Sequence, residues 1–256
     1  MKPVGPVWCL RSAAWWTLLV LPAGLLGGET PRYRGFIIDD SRVQNMPNLE
    51  AVRAATKEQI DMVRAVGVPA EILAFFQGVP FEIVPPDVMP SVTPGLYSPR
   101  DQNVRVTAGI VTTGHKPVLL HELLHAYHDQ RLPDGFKNPD IARFYERARA
   151  IPAYARRSHM MQNDREFFAC SATTYLFGVT AQEPFKREKL RDNQPDFLDY
   201  LKKLFGPNAG EYQGSLTHPP NEEKAPPGKP VSSGLRSFNS RRSPKTEPPP
   251  CPCFGA

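Results

Sequence analysis

Leu119-Leu120-His121-Glu122-Leu123-Leu124-His125-Ala126-Tyr127-His128 is the stretch whose reading decides the rest. It contains His-Glu-x-x-His. On a helix, residues four apart project from one face about one turn apart, so His121 and His125 are placed to hold one metal ion. Glu122 sits one step round the same turn, where it reaches a water on the metal without ligating it, which is the arrangement of a zinc hydrolase. A catalytic zinc takes three protein ligands, so another element must supply the third.

Around this stretch the chain alternates helix and strand signals. A short strand is expected at Tyr33–Asp39, then a helix Leu49–Val66 opened by Asn48, a second helix Ala70–Phe76, and a strand over residues 80–84. Gly95–Ser98 and Val104–Val106 alternate apolar and polar residues about a turn-rich segment and predict a hairpin. Pro117 begins the metal helix where a missing N–H costs nothing. Asn138 caps a helix over about 139–150, and Asn163 caps another over Asp164–Phe177 with Gly178 as its stop. Glu183–Arg191 and Pro195–Phe205 are expected to be helical. These elements predict an α+β domain, mainly helical, with a small mixed sheet.

Both chain ends differ from this body. Residues 1–28 have the layout of a secretory signal, with Lys2 and Arg11 flanking an apolar run that Pro22 interrupts. The run is short for a membrane span, so an exported, secreted or periplasmic protein without stable membrane insertion is expected; an uncleaved anchor is the alternative. From about residue 218 the chain is rich in Pro, Ser, Lys and Arg with few large apolar residues, the composition of a disordered tail. The folded domain is therefore expected over 29–217.

Net charge points to no nucleic acid. Of the formal +5, Lys2 and Arg11 contribute two, and the tail's six basic residues against three acidic ones contribute the rest. The body is about neutral and carries no basic surface of the kind nucleic acid needs. Cys9, Cys170, Cys251 and Cys253 set up no disulfide framework, so apolar burial and the metal must hold the fold.

For the third ligand the candidates are His115, His128, His159 and the downstream acids. Glu166 has the best setting, in Arg165-Glu166-Phe167-Phe168-Ala169, because a carboxylate on an apolar helix is costly unless paired or bound to metal. Ala169 is small enough to let that helix approach the metal helix. His128, seven residues after His121, falls on the metal side as a partner of the ligands or a rim residue.

His121-Glu122-x-x-His125 followed by Asn163-x-x-Glu166-Phe167-Phe168-Ala169 resembles the gluzincin metallopeptidases, in particular the anthrax lethal factor catalytic domain and the Pro-Pro endopeptidases. The resemblance covers about residues 95–178. It implies a zincin-like fold, one catalytic Zn2+ held by His121, His125 and Glu166, Glu122 as general base, and a peptide or protein substrate; a preference for Pro-rich peptides rests on it alone. It also assigns oxyanion stabilisation to the residue seven before the third ligand, where that family has tyrosine and this chain has His159; an imidazole donates the same hydrogen bond. Tyr154 is a second candidate for that role. Cys170 stands where lethal factor has a further acid and is expected to be an inert core thiol. A monomeric secreted endopeptidase is the reading carried forward, with a catalytically impaired zinc-binding interaction module as its alternative. A secreted adhesion protein that binds through its tail is a further rival.

Overall fold

The structure, a computed structural model, describes residues 31–89, 93–109 and 116–207. The signal segment, His115 and the tail lie outside them. Among the described residues there are five strands and seven α-helices, an α+β arrangement with a mixed sheet. None of these helices is long and apolar enough to cross a membrane.

Strands β1 (Arg32–Tyr33), β2 (Phe36–Asp39), β3 (Phe81–Val84), β4 (Gly95–Ser98) and β5 (Asn103–Thr107) form one sheet in the order β1-β2-β3-β5-β4. β2, β3 and β5 run parallel, while β1 and β4 are antiparallel edges. The expected hairpin is β4–β5, with Tyr97 opposite Val104. The single strand expected at Tyr33–Asp39 is instead a hairpin in its own right. Arg34 and Gly35 adopt φ of 49° and 89°, and this left-handed pair reverses the chain between β1 and β2.

The long crossover from β2 to β3 carries helices α1 (Leu49–Ala65) and α2 (Ala70–Gly78). Asn48 stands at the start of α1 but makes no side-chain cap, contrary to its expected role. α1 matters to the site through Gln59, which is buried. Its Oε1 accepts the Leu119 N–H at 3.1 Å and its Nε2 donates to the Lys116 carbonyl at 3.0 Å, fixing the entry to helix α3 (Val118–Arg131).

Helix α4 (Pro139–Arg149) is capped by Asn138, whose Oδ1 accepts the Ile141 N–H at 3.0 Å. Helix α5 (Asp164–Phe177) packs along α3, and the core between them is made by Leu120, Leu124, Phe167, Phe168 and Ala169, all fully buried. α6 (Arg187–Asn193) starts four residues later than expected. Residues 179–186 form a loop closed by a Val179–Lys186 bridge, in which Phe185 has φ 66°. Glu183 precedes proline, a position that disfavours helix, and Phe185 leaves the right-handed region altogether. α7 (Pro195–Phe205) completes the domain and buries Phe197, Leu201 and Phe205.

Candidate metal centre

α3 and α5 bring three donors to one point. His121 Nε2 lies 3.1 Å from His125 Nε2 and 3.2 Å from Glu166 Oε2, and His125 Nε2 lies 3.3 Å from that same oxygen. The helical spacing sets the first distance. The second and third follow from Asn163, whose Oδ1 accepts the Glu166 N–H at 2.9 Å and fixes the first turn of α5. Donors held about 2.0–2.1 Å from a zinc ion in a tetrahedron are roughly 3.3 Å apart, so these three atoms match the triangle such an ion requires. Two imidazoles and a carboxylate are also a zinc donor set.

His159 opens a 3₁₀ turn, His159–Met161, just before α5. Its Nε2 lies 2.9 Å from Glu166 Oε2, and its ring is 5.7 Å from that of His121. The side chain is 39% exposed, against 9% for His125, so His159 stands at the mouth of the site and His125 at its floor. Cys170 is buried one turn beyond Glu166. His121, His159, Glu166 and Cys170 place one donor atom each within 4.8 Å of one another.

Electrostatics separate the two carboxylates. Burial raises the Glu166 carboxyl, but hydrogen bonds from His121, His125 and His159 outweigh it and hold the group well below the usual carboxylate range. Glu122 is pushed up to about 7, first by burial and also by the Glu166 charge, against the lowering effect of His121 and of the Tyr97 N–H. One acid is thus held ionised toward the donors while its neighbour sits near the pKa of a proton-transfer group. His159 is raised chiefly by its hydrogen bond to Glu166, and burial pushes the Cys170 thiol up.

Residues that carry no motif position Glu122. The Tyr97 N–H on edge strand β4 donates to Glu122 Oε2 at 2.8 Å, leaving Oε1 free. The Tyr97 hydroxyl donates to Asp129 Oδ2 at 2.7 Å and accepts from Gln130 Nε2 at 2.9 Å, so one residue ties the strand to α3 at two levels. A Cβ on Gly95 would lie 2.8 Å from Glu122 Cγ and 2.7 Å from Val118 Cγ1; only glycine permits this approach. A cavity of about 840 Å³ opens over these groups, between β4, α3 and the 180–183 loop, and His121, Glu122, His159 and Cys170 line it.

Two expectations change. His128 is no partner of the donors: it is fully buried between the rings of Phe136 and Phe168, at 5.1 and 4.8 Å, and neither of its ring nitrogens has a hydrogen-bond partner. Burial, then the charges of His125 and Arg165, push it down to about 3. Tyr154 is buried beside Gln194 and Glu183, and burial pushes its hydroxyl up to about 12; it is not among the residues lining the cavity.

No protein family matches this chain. No curated protein matches it either. Among solved structures it is similar to the Pro-Pro endopeptidase PPEP-2 from Paenibacillus alvei, at 19% identity and a TM-score of 0.42, over 61% of this chain and 92% of that one. So distant a likeness assigns no activity to this chain, whose chemistry is read from its own residues.

Proposed function

We propose that this chain is an exported zinc-dependent endopeptidase of gluzincin type, related in its site to the lethal factor domain and the Pro-Pro endopeptidases. The observation that carries the reading is the donor triangle of His121, His125 and Glu166, with sides of 3.1–3.3 Å, beside a buried Glu122 and beneath an open cavity. Lys2, Arg11 and the apolar run before Gly27 support export.

A zinc ion held by those three residues would supply Lewis-acid polarisation of a water and of the scissile carbonyl. Glu122 takes the proton of the attacking water on Oε1, the oxygen that Tyr97 leaves free, and gives it to the departing amine. His159, at the mouth, donates from Nε2 to the carbonyl oxygen as negative charge develops there. Removal of such a donor costs about 3 kcal/mol, on the order of a hundredfold in rate. Gly95, at the start of edge strand β4, lines the cavity, so an extended peptide entering it would meet a free strand edge with which to pair.

The second reading, a zinc-binding interaction module without catalysis, is favoured by one observation: His159 rather than a phenol approaches Glu166, and at 2.9 Å it crowds the donors. Incubation of the zinc-loaded protein with a mixed peptide library separates the two. Cleavage that stops with a chelator and is absent in Glu122→Gln supports the peptidase; intact peptides with stoichiometric zinc support the module.

A further inference from the structure

The triangle of His121, His125 and Glu166 leaves one imidazole over. His159 Nε2 is 2.9 Å from Glu166 Oε2, closer than either His121 at 3.2 Å or His125 at 3.3 Å. Two donors about 2.0–2.1 Å from one ion are about 2.9 Å apart at a right angle and roughly 3.3 Å apart in a tetrahedron. All three separations from Glu166 Oε2 fall in that range. The backbone holds His159 there. Met160 and Met161 are buried, the Met161 carbonyl accepts the Tyr145 hydroxyl at 3.0 Å, and the Gln162 N–H donates to the His159 carbonyl at 3.1 Å.

Resting on the zinc reading above, we propose that in the substrate-free protein His159 is the fourth protein ligand, closing the centre as a three-histidine, one-glutamate set until a substrate carbonyl displaces it. Sites with four protein ligands are the structural kind, and catalytic sites keep a position open. Closure by His159 therefore holds the resting centre inert. Its side chain is the most exposed of the four, which leaves it room to move away. Once displaced, the imidazole takes a proton at Nε2 from solvent at the exposed mouth and can then donate it in a hydrogen bond to the carbonyl oxygen. The centre is capped by the group that later assists it.

Coordination number tests this without turnover. Wild type, His159→Ala and His159→Gly are loaded with Co(II), visible spectra are recorded, and zinc affinity is measured by competition with a chelator. Melting of the metal-free proteins checks that each is folded. The wild type is expected to give the intense visible bands of a four-coordinate ion. His159→Ala is expected to give weaker bands of higher coordination and to lose at least a hundredfold in zinc affinity, and added imidazole to restore the intense bands in His159→Gly. An unchanged spectrum in His159→Ala overturns the proposal, even with a ten- to hundredfold weaker affinity, because loss of a hydrogen bond to a ligand gives that alone. A near-ultraviolet thiolate band that Cys170→Ser abolishes also overturns it, by making Cys170 the fourth donor. A wild type that binds no metal sinks the zinc reading itself, whereas a metal-loaded wild type spectrally equal to His159→Ala sinks only the capping role.

Discussion

Gly95→Ala adds one methyl group beside Glu122, the proposed general base. The new Cβ would sit 2.7 Å from Val118 Cγ1, 2.8 Å from Glu122 Cγ and 2.9 Å from Glu122 Oε1, all closer than real Cβ contacts come. Relief is hard to find. Val118 is β-branched and stiff, β4 is fixed by its ladder to β5, and Glu122 is tied to Tyr97 at 2.8 Å. Overpacking of this kind costs about 1–3 kcal/mol, which in a domain of this size lowers Tm by roughly 2–12 °C. If Glu122 is what yields, a displacement of the order of 1 Å lowers kcat/KM by about a hundredfold. Zinc content stays at the wild-type level, since neither residue is a ligand. The control is Gly109→Ala on the same cavity, where the added Cβ meets nothing nearer than 3.7 Å and Tm is expected to stay put. Thermal melts, zinc analysis and peptide turnover of the two variants are the assay. A Gly95→Ala protein with wild-type Tm and turnover would refute the claim that the edge strand sets the position of Glu122.

Three further outcomes are expected. Glu122→Gln retains zinc and the Tyr97 hydrogen bond while losing at least 10²- to 10⁴-fold in turnover, measured on a single defined peptide. Asn163→Ala removes the cap from α5, costs about 0.5–2 kcal/mol in melts of the zinc-free protein, and weakens zinc binding because the first turn carries Glu166. His128 makes the fold acid-sensitive. Its folded pKa of about 3 lies below the ordinary 6.5, so its contribution is complete above pH 6.5 and declines by about 1.4 kcal/mol per pH unit as pH falls toward 3. His128→Phe is expected to flatten the acid limb of a melting series on zinc-free protein, and an unchanged acid limb would count against this.

Local signals explain what was legible in the sequence. The α3 and α5 segments announce themselves through helical spacing, the Pro117 entry and the Asn163 cap, and Asn138 and Asn163 cap as expected because capping involves residues only three apart. What escaped depends on distant or backbone geometry. The Gly95 and Tyr97 contacts with Glu122 join residues 25–27 apart in the chain, and nothing in Gly95-Leu96-Tyr97 foretells them. His128 shares a helix with the donors, yet the position of Phe136 and Phe168 turns it into core. The hairpin at Arg34-Gly35 and the late start of α6 come from left-handed φ values at Arg34 and Phe185, residues that rarely adopt them. Gly35 alone signalled the first of these turns.

The decisive measurement is the zinc content of chelator-stripped, reloaded wild type, Glu122→Gln and Glu166→Ala. One zinc per chain is expected in the first two and none in the third. Stoichiometric zinc in Glu166→Ala would contradict the assignment of His121, His125 and Glu166 as the metal centre.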